Sequence, residues 1–260
     1  MTPSAETALS AEERRSRVME TLMRVGSVQV DELAERFDVS RMTIHRDLDT
    51  LAKQGLLRKV RGGASAQRSV LFESNYHFRR TQALESKRQL ARAALQRVEP
   101  GMAVILDAST TCAEVAEVLP EAAPLTVITN AHAILERLRQ ENGIDLICVG
   151  GTYSETFDAF LGVVTENALH SLRADVLFLS TSAVYGLTGY HQDEQVIRAN
   201  RAMMEAADRR ILLVDHTKFG KSALNRFADL TEFDEVLTDR QLDGGVRDEL
   251  RDAEVPLQLV

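Results

Sequence analysis

The 260-residue sequence has few of the features that mark disulfide-bonded, metal-binding or membrane proteins. Its two cysteines, Cys112 and Cys148, are too few for a disulfide framework, and their spacing fits no metal motif. No stretch approaches the roughly 18 uncharged apolar residues of a membrane span, and the first residues lack the basic and apolar segments of a signal peptide. We therefore expect a cytoplasmic protein with no membrane partner, in which both cysteines are buried packing residues.

The common catalytic and cofactor-binding motifs are also missing. There is no G-x-S-x-G elbow, no P-loop and no G-x-G-x-x-G, and the six histidines never occur at metal-ligand spacing such as H-x-x-x-H. We therefore expect no cofactor, no metal site and no enzymatic activity.

Charge is distributed unevenly along the chain. Residues 1–68 contain 12 Lys and Arg against 10 Asp and Glu, whereas the rest contains 19 against 29, which gives a net charge of −8 overall. Within residues 40–68 there are seven basic and two acidic residues. A local excess of positive charge suits the phosphates of nucleic acid, and the acidic remainder can repel non-specific DNA. The chain length allows one small module and one larger one.

The first module has the pattern of a winged helix-turn-helix. A capping box of Ser10 and Glu13 starts a first helix, and we expect Asp31 to cap a second and Ser40 a third. Residues 56–64 predict two short strands joined by a glycine turn, which form the wing. We place this module at residues 1–65, followed by a linker at 66–83 and a second module at 84–260.

The third helix separates an apolar face from a polar one. Ile44, Leu48 and Leu51 can hold it to the domain, while its first turns carry the long polar side chains that reach base edges in the major groove. The predicted DNA-binding residues are Ser40, Arg41, Thr43, His45, Arg46, Lys59, Arg61, Gly62 and Gly63. Arg41 and Arg46 could each contact a guanine or a phosphate. The alternative is a solvated basic face, but it leaves the two helices, the turn, the basic wing and the local charge to coincidence.

Residues 10–64 also resemble the DNA-binding region of DeoR-type regulators. The resemblance rests on ELAERF, VS, T-I-x-R-D-L and G-G-A. His45 stands where the family usually has arginine, and this departure concerns which operator sequence is bound.

The second module alternates apolar runs with helix-length segments. The runs are 102–106, 125–129, 144–151, 175–180, 211–215, 234–238 and 255–260. Apolar strands without face alternation, separated by helices, predict a mostly parallel sheet covered on both faces. The fold class is therefore an α/β domain preceded by a small winged helix-turn-helix domain.

Polar residues follow most of these strands, and the carboxyl ends of parallel strands meet at one edge, where such sheets bind ligands. Three hydroxyls at a helix N-terminus after 102–106 suit a phosphate, although ordinary capping by Ser109 is an alternative. The predicted effector-binding residues are Asp107, Ser109, Thr110, Thr111, Thr129, Asn130, Gly150, Gly151, Ser182, Asp215 and Lys218.

The motifs D-x-S-T-T, T-N, G-G and D-x-x-K-F-G resemble the C-terminal sensor of the same family, which is similar in fold to ribose-phosphate isomerase. The resemblance implies a phosphorylated sugar or related metabolite as effector. Ser180 stands where relatives tend to have glycine, and Val196-Ile197 and Asn200 where they often have Glu-Ala and Lys. These departures imply a changed pocket wall.

The sequence therefore predicts a repressor of carbohydrate-metabolism genes that binds operator double-stranded DNA and is relieved by a phosphorylated effector. Because two-fold proteins match palindromic operators, we expect a homo-oligomer, either a dimer or a tetramer. The alternative is a sugar-phosphate isomerase-like enzyme with an appended domain, for which Asp107, Asp215 and Lys218 are the acid-base candidates.

Overall fold

A computed structural model describes residues 9–53, 56–66 and 75–260. The chain divides into two compact units that meet in sequence at Thr81 and Gln82. Residues 76–81, within the predicted linker, form a helix of the first unit. The predicted boundaries at 65 and 83 stay a proposal.

The first unit has the predicted helix-turn-helix followed by a wing. Its helices are α1 (Ala11–Val25), α2 (Val30–Phe37), α3 (Arg41–Lys53) and α4 (Tyr76–Thr81). Its strands are β1 (Ser27–Gln29), β2 (Leu57–Val60) and β3 (Gly63–Ala66). They form an antiparallel sheet in the order β1-β3-β2. The hairpin β2–β3 is the predicted wing.

Two of the three predicted helix caps are confirmed. Ser10 and Glu13 form the capping box of α1, in which each side chain accepts the other residue's backbone N–H. The Ser40 hydroxyl caps α3 by accepting the Thr43 amide at 3.1 Å. The prediction for Asp31 is wrong, because α2 begins one residue earlier and has no side-chain cap. Asp31 instead lies in the first turn, where its negative charge interacts favourably with the helix dipole.

The core of this unit is the apolar side of its three long helices, as the sequence predicted. Val18, Leu22, Leu33, Ile44 and Leu48 are fully or almost fully buried. Because α3 uses this face for packing, its opposite face is left to solvent.

A buried ion pair joins α1 to α3 within this core. Arg14 Nε donates to Asp47 Oδ2 at 2.6 Å and Arg14 Nη2 donates to Oδ1 at 3.3 Å, and the two residues are only 8% and 3% exposed. Arg15 Nη1 lies 3.6 Å from Oδ1. Since neither charged group is accessible to solvent, each depends on the other for its partner, and the pair fixes the position of α3 against α1.

The second unit is built on seven parallel strands, which confirms the predicted fold class. Its helices are α5 (Leu84–Leu95), α6 (Thr110–Val118), α7 (His132–Leu138), α8 (Val163–His170), α9 (Glu194–Ala206) and α10 (Gly244–Asp252). The strands of the main sheet are β4 (Ala103–Leu106), β5 (Leu125–Thr129), β6 (Ile144–Cys148), β9 (Ala174–Leu179), β12 (Ala207–Leu213), β14 (Glu235–Thr238) and β15 (Leu257–Leu259). Their order is β15-β14-β12-β9-β4-β5-β6.

Both faces of the sheet are covered, which explains its uninterrupted apolar strands. Leu106 and Phe178 belong to a core cluster with residues of α5, α6 and α7, whereas Ile105 and Leu177 belong to a second cluster with residues of α8, α9 and α10. Successive strand residues therefore serve opposite layers.

Two small antiparallel elements were not predicted from the sequence. One is the hairpin of β7 (Thr152–Ser154) and β8 (Ala159–Leu161). The other is the sheet of β10 (Ala183–Tyr185), β11 (Thr188–His191) and β13 (Asn225–Asp229). One cysteine prediction is also wrong: Cys112 is buried, but Cys148 is exposed because β6 is the edge strand of the sheet.

The strand order places a topological switch point between β4 and β9. From β4 the chain builds outward through β5 and β6, and it then returns to β9 on the other side of β4. In open parallel sheets, ligands bind in the crevice at the carboxyl ends of the strands at such a point. Among the described residues no helix is long and apolar enough to cross a membrane.

Replacing Asp47 by alanine will destabilise the first unit by about 3–5 kcal/mol, because it leaves Arg14 as an unpaired buried charge. Native-state hydrogen exchange of the full chain, followed by mass spectrometry on peptides from residues 41–53, measures the loss. The double variant Arg14→Leu/Asp47→Leu removes both charges and should recover most of the protection. Unchanged protection in Asp47→Ala would show that the pair does not hold α3.

Candidate nucleic-acid interface and effector site

The exposed face of α3 carries three of the predicted DNA-binding side chains. Arg41, His45 and Arg46 are all exposed. Ser40 is exposed at the start of the helix, and its hydroxyl lies 2.9 Å from that of the half-buried Thr43. The helix N-terminus and its long polar side chains therefore share one accessible surface.

The two arginines of this surface differ in their partners. Arg41 Nη2 lies 2.5 Å from Asp31 Oδ2, and both side chains are largely exposed. Exposed ion pairs contribute little stability, so a DNA phosphate can replace Asp31 at small cost. Arg46 makes no ion pair with any residue that the structure describes, and its guanidinium is available without such an exchange.

The wing carries cations beside α3. Lys59 Nζ donates to Asp49 Oδ1 at 2.5 Å, and this hydrogen bond lowers the pKa of the Asp49 carboxyl. Arg61 is exposed at the turn between β2 and β3, and the neighbouring Arg58 is exposed on β2. Arg58 is not among the predicted DNA-binding residues.

The two predicted glycines shape the wing. Val60 pairs with Gly63, so Arg61 and Gly62 form a two-residue turn in which Gly62 has a φ of +79°. A Cβ atom on Gly63 would lie 2.0 Å from the carbonyl oxygen of Val28 in β1. Gly63 is buried and allows β3 to approach β1 closely, which explains why both positions need glycine without any DNA contact.

At the switch point of the second unit, Asp107 joins the ends of β4 and β9. Its Oδ1 accepts the amide of Ser109 and its Oδ2 accepts the amide of Ser180, both at 3.0 Å. Burial raises the pKa of the Asp107 carboxyl above its ordinary value, although these hydrogen bonds oppose the shift. Asp107 therefore holds the two loops of the crevice together.

The hydroxyl-rich segment after Asp107 begins α6. The Ser109 hydroxyl caps this helix by accepting the Cys112 amide at 3.0 Å. Thr110 and Thr111 follow in the first turn, and both are buried. The side chain of Thr111 makes no hydrogen bond with the described residues, and the dipole at a helix N-terminus favours an anion.

The residues after β5 serve two different purposes. The Thr129 hydroxyl donates to Leu106 O at 2.9 Å and accepts the Ala131 amide at 3.1 Å, so it joins β5 to β4. Asn130 Nδ2 donates to Phe160 O at 2.8 Å, and Phe160 N donates to Asn130 O at 2.9 Å. Asn130 therefore holds the β7–β8 hairpin against the carboxyl edge.

The glycine pair after β6 allows close packing. A Cβ atom on Gly151 would lie 2.1 Å from Thr165 Oγ1 and 2.7 Å from Leu161 O. The Thr165 hydroxyl also donates to Gly150 O at 2.9 Å. Gly150 itself faces open space, so the two glycines are not equivalent.

The remaining predicted residues follow β9 and β12 at the same edge. Ser182 is half-buried, and its amide donates to Tyr190 O at 3.2 Å. Asp215 caps a short 3-10 helix by accepting the amide and the hydroxyl of Thr217. Lys218, at the end of that helix, is half-buried. Ser182 follows β9, and Asp215 and Lys218 follow β12, the next strand in the sheet. Gly150 and Gly151 follow β6, at the opposite end of the strand order.

Asp239 was not predicted, although it follows β14 as the other aspartates follow their strands. Its carboxylate accepts the backbone amide of His216 at 2.9 Å, and His216 Nδ1 lies 2.9 Å from its Oδ1. Burial raises the pKa of Asp239, but the bonds to His216 and to the Gln241 amide outweigh it and bring the pKa below its ordinary value. The contact joins the ends of β12 and β14.

The β7–β8 hairpin brings further unpredicted residues to this edge. Tyr153 OH donates to Asp158 Oδ1 at 2.7 Å, and His132 Nδ1 lies 3.1 Å from the same oxygen. The hydrogen bond to Asp158 raises the pKa of Tyr153 to about 12. Phe157 is buried in a cluster with Val196 of α9. The sequence signal for this element is weak because its strands have three residues each.

Neither a metal site nor the depression on the opposite edge offers a better candidate. The described residues contain no group of three His, Cys, Asp or Glu side chains that could hold a metal ion. A shallow depression of about 460 Å³ lies at the amino ends of β5 and β6. Its lining contains Asp145 and no cation, and it is therefore unsuited to a phosphate.

The Gly151→Ala substitution will destabilise the second unit by about 1–3 kcal/mol, because the added methyl group meets backbone as well as Thr165. Gly150→Ala is the matched control and should stay within about 0.5 kcal/mol of the unmodified protein. Urea unfolding of the full chain, followed by hydrogen exchange in residues 152–170, measures both. Equal effects of the two substitutions would contradict the close packing at Gly151.

Comparison with known families covers both units. The model of the DeoR-like helix-turn-helix domain matches residues 14–70. The model of the DeoR C-terminal sensor domain matches residues 82–240.

Individual relatives align over nearly the whole chain. A putative aga operon transcriptional repressor of Escherichia coli O157:H7 is 32% identical over 253 residues, which cover 95% of this chain and 93% of that protein. The glycerol-3-phosphate regulon repressor of Escherichia coli K12 is 28% identical over 254 residues, which cover 95% and 98%. Among solved structures, ribose 5-phosphate isomerase A of Methanocaldococcus jannaschii shares 17% identity over 51% of this chain and 53% of its own, with a TM-score of 0.38. On the two family models and these full-length relatives, the chain belongs to the DeoR family of transcriptional regulators.

Proposed function

We propose that this DNA-binding transcriptional regulator is a repressor of carbohydrate-metabolism genes, relieved by a phosphorylated sugar or related metabolite. The observation that carries the DNA-binding part is the division of α3 into a buried face, locked by the Arg14–Asp47 pair, and an exposed face with Arg41 and Arg46. The relatives named for the aga operon and the glycerol-3-phosphate regulon support the class of genes and of effector.

On the DNA side, we propose that Arg46 and Arg41 contact base edges or phosphates in the major groove, with His45 beside them. Ser40 and Thr43 contact backbone oxygens at the helix N-terminus, whereas Lys59 and Arg61 contact phosphates from the wing. Gly62 and Gly63 contribute by shaping that wing. Met42, which is 61% exposed on α3, is an additional apolar contact for a thymine methyl group.

On the effector side, the first turn of α6 is the proposed phosphate site. Ser109 supplies the cap, Thr111 supplies a hydroxyl that makes no hydrogen bond with the described residues, and the helix dipole favours an anion. Thr110 lies in the same turn. The other members of the proposed effector site are Asp107, Thr129, Asn130, Gly150, Gly151, Ser182, Asp215 and Lys218.

We propose that the chain is not an enzyme. Both oxygens of Asp107 accept backbone amides, and Asp215 accepts the amide and the hydroxyl of Thr217. A general base must reach the proton of a substrate carbon, and these carboxylates are instead engaged in holding loops. Turnover of a phosphosugar by the full chain would overturn this proposal.

The proposal includes a cytoplasmic homo-oligomer, either a dimer or a tetramer. Two-fold symmetry would let paired DNA-binding units match a palindromic operator, and effector binding would act by favouring an arrangement that no longer fits both half-sites. The division into a DNA-binding module, a linker and a sensor remains part of this proposal, with the compact units as its support.

Arg46→Ala will weaken binding to the protein's own upstream DNA by about 1–3 kcal/mol, roughly fivefold to 150-fold, and reduce the salt slope by about one. Fluorescence anisotropy at several salt concentrations measures both quantities. Arg173→Ala is the matched control, because Arg173 is exposed in the second unit and pairs with Asp208. The proposal fails if the unmodified protein does not bind this DNA at low ionic strength. It also fails if Arg46→Ala and Arg173→Ala bind the DNA with equal affinity.

Thr111→Val will weaken binding of a phosphosugar effector about tenfold, because valine keeps the shape of threonine but loses one hydrogen bond to an anion. Candidate phosphosugars are titrated into the operator complex, and release of DNA is measured. Thr126→Val is the matched control on the opposite edge of the sheet. If no phosphosugar changes the affinity for operator DNA, the effector proposal is contradicted, whereas the DNA-binding proposal is unaffected.

A further inference from the structure

The hydrogen bond of one side chain at the carboxyl edge of the sheet, Asn130, fixes the orientation of its carboxamide group. Asn130 is 1% exposed and follows β5 directly. Its carboxamide lies 2.8 Å from the carbonyl oxygen of Phe160. Because a carbonyl oxygen only accepts hydrogen bonds, the atom that faces it must be the donating Nδ2. The Oδ1 atom is therefore left as an acceptor for another group.

Asn130 Oδ1 has no hydrogen-bond donor among the described residues, although it is buried. Buried polar atoms are nearly always hydrogen-bonded, so an unpaired one marks a place where a donor is expected. Gln192 Oε1, Thr238 Oγ1 and Arg247 Nε share this condition, but they lie beyond β11, on β14 and in α10. Only Asn130 follows a strand that is paired with β4.

Because Asn130 Oδ1 is an acceptor, the phosphate group of the expected effector cannot be its partner. The oxygens of a phosphate dianion are acceptors, and they would repel Oδ1. A hydroxyl group donates, and it would complete the hydrogen bonding of Asn130. The first turn of α6, which follows the neighbouring strand β4, has the opposite preference, since it offers donors and a positive dipole end.

We propose that Asn130 Oδ1 accepts a hydrogen bond from a hydroxyl group of the effector, which rests on the proposed phosphosugar effector and orients it. The phosphate binds at the start of α6, and a hydroxyl-bearing carbon reaches the end of β5. Asn130 is thus a specificity-determining residue that distinguishes polyhydroxylated phosphates from simple alkyl phosphates.

Access to this oxygen involves the β7–β8 hairpin. The hairpin lies against Asn130 through the two hydrogen bonds of Phe160, and the Asp158 carboxylate is paired with His132 at the start of α7. Gly151 and Gly162 flank it with φ values of +157° and +95°. The hairpin must shift for the ligand hydroxyl to replace buried protein surface at Oδ1.

Two ligand pairs test the proposal by calorimetry with the full chain. Glycerol 3-phosphate is compared with propyl phosphate, and ribose 5-phosphate with pentyl phosphate, at pH 8 where the phosphates are dianions. For at least one pair, the unmodified protein should bind the hydroxylated member about tenfold more tightly, as the loss of one hydrogen bond to a buried acceptor predicts. Asn130→Leu should reduce that preference to near unity, while both members still bind.

His132→Leu is the matched control, because it removes the side-chain link between hairpin and α7 but keeps Asn130. It should keep the preference for the hydroxylated member of each pair, because Asn130 Oδ1 is unchanged. Equal binding of both members by the unmodified protein overturns the proposal, and so does a preference that survives in Asn130→Leu. If no phosphate compound binds the unmodified protein, the effector proposal itself fails and this inference with it. The comparison of ligands on the unmodified protein does not require any variant to fold.

Discussion

The arrangement of the sensor unit depends on a buried carboxylate that accepts two backbone amides. Asp107 receives one amide from the loop after β4 and one from the loop after β9, and these loops leave the sheet on the two sides of the switch point. Without that acceptor, two buried N–H groups would lose their partner at the place where the crevice opens. The position of the loop after β4 relative to the loop after β9 therefore depends on Asp107.

The same use of aspartate recurs through the molecule and changes how its motifs are interpreted. Asp47 lies inside the motif that resembles the family's recognition helix, yet its carboxylate is buried against Arg14 and not offered to DNA. Asp215 and Asp239 accept backbone amides at the ends of β12 and β14. These aspartates therefore hold segments of the chain in place through an ion pair or through hydrogen bonds to backbone amides.

The sequence was sufficient for the elements whose pattern is long or chemically distinct. The parallel strands were visible because both of their faces are covered, and the α3 cap was visible because Ser40 follows a tight turn. The β7–β8 hairpin was not visible, because three-residue strands are too short to show a period. Long-range contacts were equally hidden, because nothing local pairs Arg14 with Asp47 or Asn130 with Phe160. The start of α2 was missed for a different reason: its N-cap residue is Gln29, which makes no side-chain cap and is not a preferred capping residue.

Helix α4 has a consequence for how the DNA-binding unit can be exchanged between regulators. Tyr76 is buried and Phe78 packs against the core of the first unit, so this helix belongs to the fold of that unit although it follows the wing in sequence. A chimera joined directly after the wing would remove Phe78 from this core and would also lose the buried Tyr76. Grafts of this domain onto another sensor should therefore keep the native chain through Thr81.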